Sequence, residues 1–351
     1  MEIRLLTDAG VERHPAEALR GLIAAGEGLV WVDMPSCDDA GTQVLSDIFG
    51  FHPLAVRDCV ERNRVPKVRA YADHVFVVLH APERGAGGHV HYVELDQFIG
   101  PRYLVTVHGP ANPAVDLAAM LRETGEIAAR LDTGRLRPTS PFDLVYAIGS
   151  ALARRQEAFI EATTGEVWRL EQRVTGGHLG DPEQLLDELF RARHGLLAVR
   201  TMGALGREAL DRLSVLARTA PPGPPGPPGG HPTPVAPDSV AIRALLAARP
   251  LVDDLADQFD RIRALADAQR DYLQGVIEFY RTLTETKMTI AAERFAVIAA
   301  VTLPITALSS VLGMNLIVND RSRYPELLIV LAVMAAMSAT VLRWARRRGW
   351  W

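Results

Sequence analysis

Gly313, Met314 and Asn315 close an apolar stretch in which Thr302, Thr306 and Ser309 stand at i, i+4 and i+7, with Gly313 at i+11. On a helix that spacing puts the hydroxyls and the glycine on one face. Polar side chains in an apolar helix turn toward a bundle interior or a water-filled path. Small ones also serve plain helix packing, and the residues alone leave both uses open. Gly and Asn are equally common where a helix simply ends. Carboxylates come next: Asp58 in "PLAVRD", and Asp253, Asp254 and Asp257 in "LVDDLAD". Facing carboxylates repel unless a cation bridges them, whereas one alone reads as part of a solvated helix face. His89 and His91 share a strand face and would suit Zn2+, with no third ligand at close spacing. No HExxH, GxxxxGK[ST] or GxSxG sequence occurs, so an enzyme activity has no residues to carry it.

The elements that must position these groups begin with two apolar segments. Phe295 to Leu312 is eighteen residues without a charge, about 27 Å as a helix and close to the hydrocarbon thickness of a bilayer. Leu327 to Leu342 is sixteen more, flanked by Tyr324 and Trp344 where interfacial aromatics anchor. A membrane hairpin with spans at about 295–313 and 325–344 is the expectation. Arg343, Arg346, Arg347 and Arg348 follow the second span, while the connecting loop sets Arg321 and Arg323 against Asp320 and Glu326. The excess of positive charge after the second span puts the C-terminus in the cytoplasm. Two spans then return the N-terminal region to the same side.

Residues 1–135 mix two periods. Leu29–Met34, His74–Ala81, Val90–Gly100 and Tyr103–His108 are rich in β-branched residues and read as strands. Gly100-Pro101 predicts a hairpin between the last two, and helical patterns such as Ala40–Gly50 and Asn112–Leu131 complete an α/β domain. From 136 to 294 the pattern stays helical, in runs far longer than the globular average. The last run starts at Ser239 and leads into the first apolar segment, with Pro250 as a kink or local start. "APPGPPGPPGGHPTPVAP", within 220–237, predicts an exposed polyproline-like spacer. Cys37 and Cys59 are too few for a disulfide framework and fit a reducing cytosol. The first residues show no signal peptide, and a net charge of -4 gives no reason to expect nucleic acid as a partner.

This arrangement resembles the CorA family of magnesium transport proteins. Gly313-Met314-Asn315 directly follows the first of two terminal spans, and Pro304 lies within that span as "LPIT". "FHPLAVRD" (Phe51–Asp58), "RVPKVRAYADHVFVVL" and "YPELL" (Tyr324–Leu328) are similar to further family motifs. The resemblance implies a funnel-shaped homopentamer in the plasma membrane. Its central pore would be walled by the first spans and passable to Mg2+, with Co2+ and Ni2+ as further candidate ions. It assigns Gly313, Met314 and Asn315 to a selectivity ring, and Thr289, Ala292, Ala296, Ala299, Leu303, Thr306 and Ser310 to the pore wall. Asp58 and Asp254 would hold a regulatory Mg2+ between neighbouring subunits, with Asp253 and Asp257 as further ligands. No organic cofactor is implied. The chain departs from the family at the inner mouth, where Thr289 stands for the usual Asn, and Ala292 and Glu293 replace Met-Lys. A zinc transporter of the same superfamily and a membrane scaffold without transport are the competing expectations.

Overall fold

The computed structural model describes residues 1–177, 181–219, 240–316 and 324–347. The chain opens with β1 (Glu2–Thr7), β2 (Gly10–His14), α1 (Leu19–Ala25) and β3 (Leu29–Met34). Next come α2 (Asp39–Gln43), which runs into a π-helical turn at Val44–Ile48, and α3 (Pro53–Val60). Then follow β4 (Lys67–Ala70), β5 (Val75–Arg84), β6 (Val90–Ile99) and β7 (Tyr103–Val107). These strands form one seven-stranded sheet in the order β2-β1-β3-β7-β6-β5-β4. Only β3 and β7 run parallel, with Trp31 opposite Leu104; the other neighbours are antiparallel. The β6–β7 hairpin turns at Gly100-Pro101 as expected, with Gly100 N–H bonded to the Tyr103 carbonyl at 3.0 Å.

Strand β5 is buried along nearly its whole length, because both faces of the sheet are covered. One face packs Val30, Val32, Phe76, Val78, Phe98 and Val105 against Leu19, Leu45, Ala55 and Val56. Helices α4 (Leu117–Met120), α5 (Arg122–Asp132), α6 (Pro141–Thr175) and α7 (Pro182–Thr219) follow the sheet, and α6 and α7 lie against β5. Helix α6 starts at a capping box: the Ser140 hydroxyl accepts from Asp143 N–H, and the Asp143 carboxylate accepts from Ser140 N–H. Pro141 sits in the first turn, where its missing N–H costs nothing.

Arg155 fastens α6 to the α/β layer. Its guanidinium donates to both Glu123 carboxylate oxygens at 3.1 and 3.0 Å, to the Ala119 carbonyl at 2.9 Å, and to Glu83 at 2.5 Å. Arg155 and Glu123 are buried side chains.

Helix α8 spans Val240–Leu316, 77 residues, or roughly 115 Å at 1.5 Å per residue. It begins ten residues before Pro250 and continues through it, so that proline does not start the helix. Its early part packs on α6 and α7 where glycines remove side chains. A Cβ on Gly206 would stand 2.5 Å from the Phe259 ring, and one on Gly149 would stand 2.6 Å from Leu255. Helix α9 covers Tyr324–Arg347. The contacts divide the chain into two compact units, Met1–Gln274 and Gly275–Trp351. The proline-rich stretch 220–237, the loop charges Asp320, Arg321 and Arg323, and Arg348 lie outside the described residues.

Candidate functional site

The apolar part of α8 is uncovered in a single chain. Phe295, Ile298 and Leu303 are 72, 57 and 67% exposed, and on α9 Leu328, Ile329 and Trp344 are also exposed. Each such side chain favours leaving water by about 1.5–3 kcal/mol, so this surface calls for lipid or for other protein. Among the described residues one helix, Leu245–Ala307, is long and apolar enough to cross a membrane, and Leu328–Trp344 is a shorter apolar helix.

Thr289, Ala292, Ala296, Ala299, Leu303, Thr306 and Ser310 recur at alternating steps of three and four along α8, and every one is exposed. That rhythm keeps them on one stripe of the helix. The threonines spend their hydroxyl protons locally: Thr289 donates to the Glu285 carbonyl at 2.9 Å, and Thr306 to the Thr302 carbonyl at 2.8 Å. Their oxygens keep acceptor capacity toward whatever lies beside the stripe. Thr302 similarly donates to the Ile298 carbonyl at 2.9 Å. Pro304 is accommodated inside the helix, where its ring nitrogen cannot donate to the Ala300 carbonyl. The helix continues through Gly313, Met314 and Asn315 to Leu316. The tripeptide therefore occupies the last described turn of α8, in helical backbone rather than at a bend.

The four aspartates have different surroundings. Asp58, on α3, is buried, and its carboxylate meets Lys67 at 2.8 Å and Arg69 at 3.0 Å, both on β4. The sequence around it explains that position. Phe51 stacks on Phe98 with centroids 4.2 Å apart, His52 caps α3 by accepting from Leu54 N–H at 3.1 Å, and Pro53 fills the first helical turn. Asp254 is exposed on α8 and accepts from the Tyr146 hydroxyl at 2.7 Å and from Gln258 at 2.8 Å. Those two hydrogen bonds hold its carboxyl below the ordinary range. Asp253 takes a short bond from the Ser214 hydroxyl and faces Arg249 at 3.3 Å. Asp257 is exposed, 3.7 Å from Arg207. Within one chain these aspartates form no common site.

His89 and His91 stand edge to face with centroids 4.7 Å apart, and α7 brings His194 to 6.4 Å from His89. The third imidazole comes from a helix about a hundred residues away, so local spacing gave no sign of it. Even so, among the described residues no group of three or more His, Cys, Asp or Glu is placed to hold a metal.

Sequence reading also missed a buried polar layer under the sheet. Glu94 accepts from Asn63 N–H at 2.9 Å and from its side-chain amide at 2.5 Å, and His80 Nε2 lies 2.8 Å from the Asn63 carbonyl. Burial lowers His80 to about 4 and pushes the fully enclosed Asp96 well up. Thr124, His108 and Asp33 form a short hydrogen-bonded chain with the residue types of a hydrolase triad, yet both 3.1 Å contacts fall on His108 Nε2, so no proton relay runs through the imidazole. His108 and Thr124 are 2 and 0% exposed, so no substrate can reach them, and the chain braces the core.

A sheet-based domain whose last long helix continues into an uncovered apolar segment defines a class of protein that hangs an α/β domain on a membrane helix. The chain belongs to the family described as CorA-like Mg2+ transporter protein, matching it over residues 26–222 and 245–347. It is 24% identical over 330 residues to the "Putative metal ion transporter YfjQ" of Bacillus subtilis, covering 91% of this chain and 89% of that one. It is 23% identical over 313 residues to the "Cobalt/magnesium transport protein CorA" of Thermotoga maritima, covering 88 and 79%. The fold is similar to the complete structure of the CorA magnesium transporter from Methanocaldococcus jannaschii. There the TM-score is 0.75 at 16% identity, covering 100% of this chain and 99% of that one. The family comprises membrane-borne metal-ion transporters, not enzymes.

Proposed function

We propose that five copies of this chain surround a central pore walled by α8, and that the pore passes Mg2+, with Co2+ and Ni2+ as further cargo. The observation that carries this is the uncovered stripe from Thr289 to Ser310, which leads to Gly313-Met314-Asn315 in the last turn of α8. In an assembly about an axis such a stripe faces its own copies. Mg2+ binds water strongly and sheds it reluctantly. A ring of Asn315 amides would recognise the ion with its waters attached, through carbonyl oxygens that carry no net charge and so do not trap it. Below the ring, Thr306 and Ser310 offer oxygen acceptors. Leu303, Ala299, Ala296 and Ala292 form an apolar throat that closes by expelling water. Tyr324 and Trp344 at the ends of α9 suit the two membrane interfaces. Arg343, Arg346 and Arg347, at its C-terminal end, set both termini in the cytoplasm of a plasma-membrane protein.

For regulation, Asp254 and Asp257 are the two exposed members of the four aspartates, and the proposal places them beside a neighbouring copy. Mg2+ between subunits would relieve their repulsion and hold the pore shut, and its loss would let the copies part. Asp58 is already balanced by Lys67 and Arg69, so a bridging ion there must compete with two cations of its own chain.

Flux of Mg2+, Co2+, Ni2+ and Zn2+ into proteoliposomes tests the pore. Wild type should carry Mg2+, and Asn315→Ala should lose most of the flux or its preference among ions. Equal flux and preference in both would remove Asn315 from the filter. Zn2+ flux without Mg2+ flux would make this a zinc transporter, and no flux of any ion would leave a scaffold.

A further inference from the structure

A cavity of about 480 Å3 opens between the β5–β6 turn and helices α6 and α7, within the first compact unit. Its volume falls in the range of small-molecule sites. Four arginines line it, Arg84 from β5, Arg169 and Arg173 from α6, and Arg191 from α7, against two carboxylates, Glu166 and Glu188. Arg84 pairs with Glu166 at 2.7 Å, and Arg173 pairs with Glu188. These pairs are a third to a half exposed and so contribute little. Arg191 pairs with Asp187, one turn back on its own helix, which brings the carboxylates beside the four arginines to three. For Arg169 the bond found is to the Gly165 carbonyl of its own helix, at 3.2 Å. Positive charge is therefore in excess.

The walls are fitted closely. Gly88 has φ +80°, and a Cβ there would stand 2.5 Å from the Arg191 stem. A Cβ on Gly195 would stand 3.2 Å from Phe159. Glycine at both positions lets the turn approach the Arg191 stem and α7 approach the Phe159 ring. The Arg84 guanidinium lies 4.9 Å over the Phe159 ring and donates to Glu166 at 2.7 Å and to the Thr163 hydroxyl at 3.2 Å. Leu170 and Ala192 add apolar wall.

We infer that this cavity binds a small organic phosphate of about the size of a nucleoside phosphate. The arginines take the phosphate oxygens, and the remaining volume beside them takes the organic part. Guanidinium groups match phosphate oxygens in pairs of parallel hydrogen bonds.

Binding of ATP, pyrophosphate and adenosine to the detergent-solubilised full chain, by calorimetry in EDTA, tests this. Without divalent cation, a nucleotide cannot act by removing metal. ATP and pyrophosphate should bind saturably and ATP at least tenfold tighter than adenosine. Arg169→Gln and Arg191→Gln should each weaken ATP about tenfold with the melting temperature unchanged. Arg137→Gln, in a separate basic cleft beside α6, should have no effect. The inference is overturned by absence of saturable ATP binding, by equal affinity in the Arg169→Gln and Arg191→Gln variants, or by an equal loss in Arg137→Gln.

Discussion

Replacing Arg155 by methionine keeps most of the stem and removes the charge that balances Glu123 and Glu83. The arginine makes four hydrogen bonds from a side chain 6% exposed, two of them to a carboxylate 5% exposed. Breaking a buried pair from one side costs about 3–5 kcal/mol, because the other charge is left uncompensated. For a unit of this size that is a fall in melting temperature of roughly 6–20 °C. The deficit must also depend on pH. Burial already pushes the Glu123 carboxyl up, with Arg155 opposing that shift. Without the arginine its pKa rises further, so the folded state holds a proton that the unfolded state releases above about pH 4.3. Stability then falls as pH rises, by at most about 1.4 kcal/mol per pH unit. Melting of the detergent-solubilised protein between pH 5 and 8 reads this directly, and Arg155→Met/Glu123→Gln should recover much of the loss. A variant melting within about 2 °C of wild type, or a pH-independent deficit that the double variant does not repair, would refute the reasoning.

His80 is held neutral by burial with its pKa lowered to about 4. Between pH 6.5 and 4 the unfolded chain takes up the proton and the folded one does not. Folding loses about 3 kcal/mol across that window, and the difference in pH dependence between wild type and His80→Gln should show it. Gly206→Ala places a methyl against Phe259 and should destabilise by about 1–3 kcal/mol through overpacking, seen as a lower urea midpoint. Asp58→Asn removes the partner of Lys67 and Arg69. It should free β4, measured as faster amide exchange at Val68 than at Val77, its neighbour on β5.

Much of the architecture was legible where one residue type decided the matter. β-branched runs marked β3, β5, β6 and β7, Gly100-Pro101 marked their hairpin, and unbroken 3-4 spacing carried α8 from its start into the apolar segment. β1, β2 and β4 were not seen. β2 reads "GVERH" and is mostly exposed, and the four residues of β4 are only half-buried, so pairing partners rather than their own composition make them strands. The parallel pairing of β3 with β7 joins segments about seventy residues apart, which no local pattern reports. In the candidate site, position along α8 was readable, but partners were not. Asp58 gave no sign of Lys67 and Arg69 across from it, nor Arg155 of its burial, because tertiary packing supplies both.

The two outermost strands of the sheet, β2 and β4, are five and four residues long. β4 follows Pro66 and carries Lys67 and Arg69. Such margins offer few open backbone groups to a foreign strand and surround them with charge, which discourages edge-to-edge growth. Copies crowded side by side on one bilayer therefore have little to gain by zipping their sheets together. Stacking into fibres is discouraged by the same short borders.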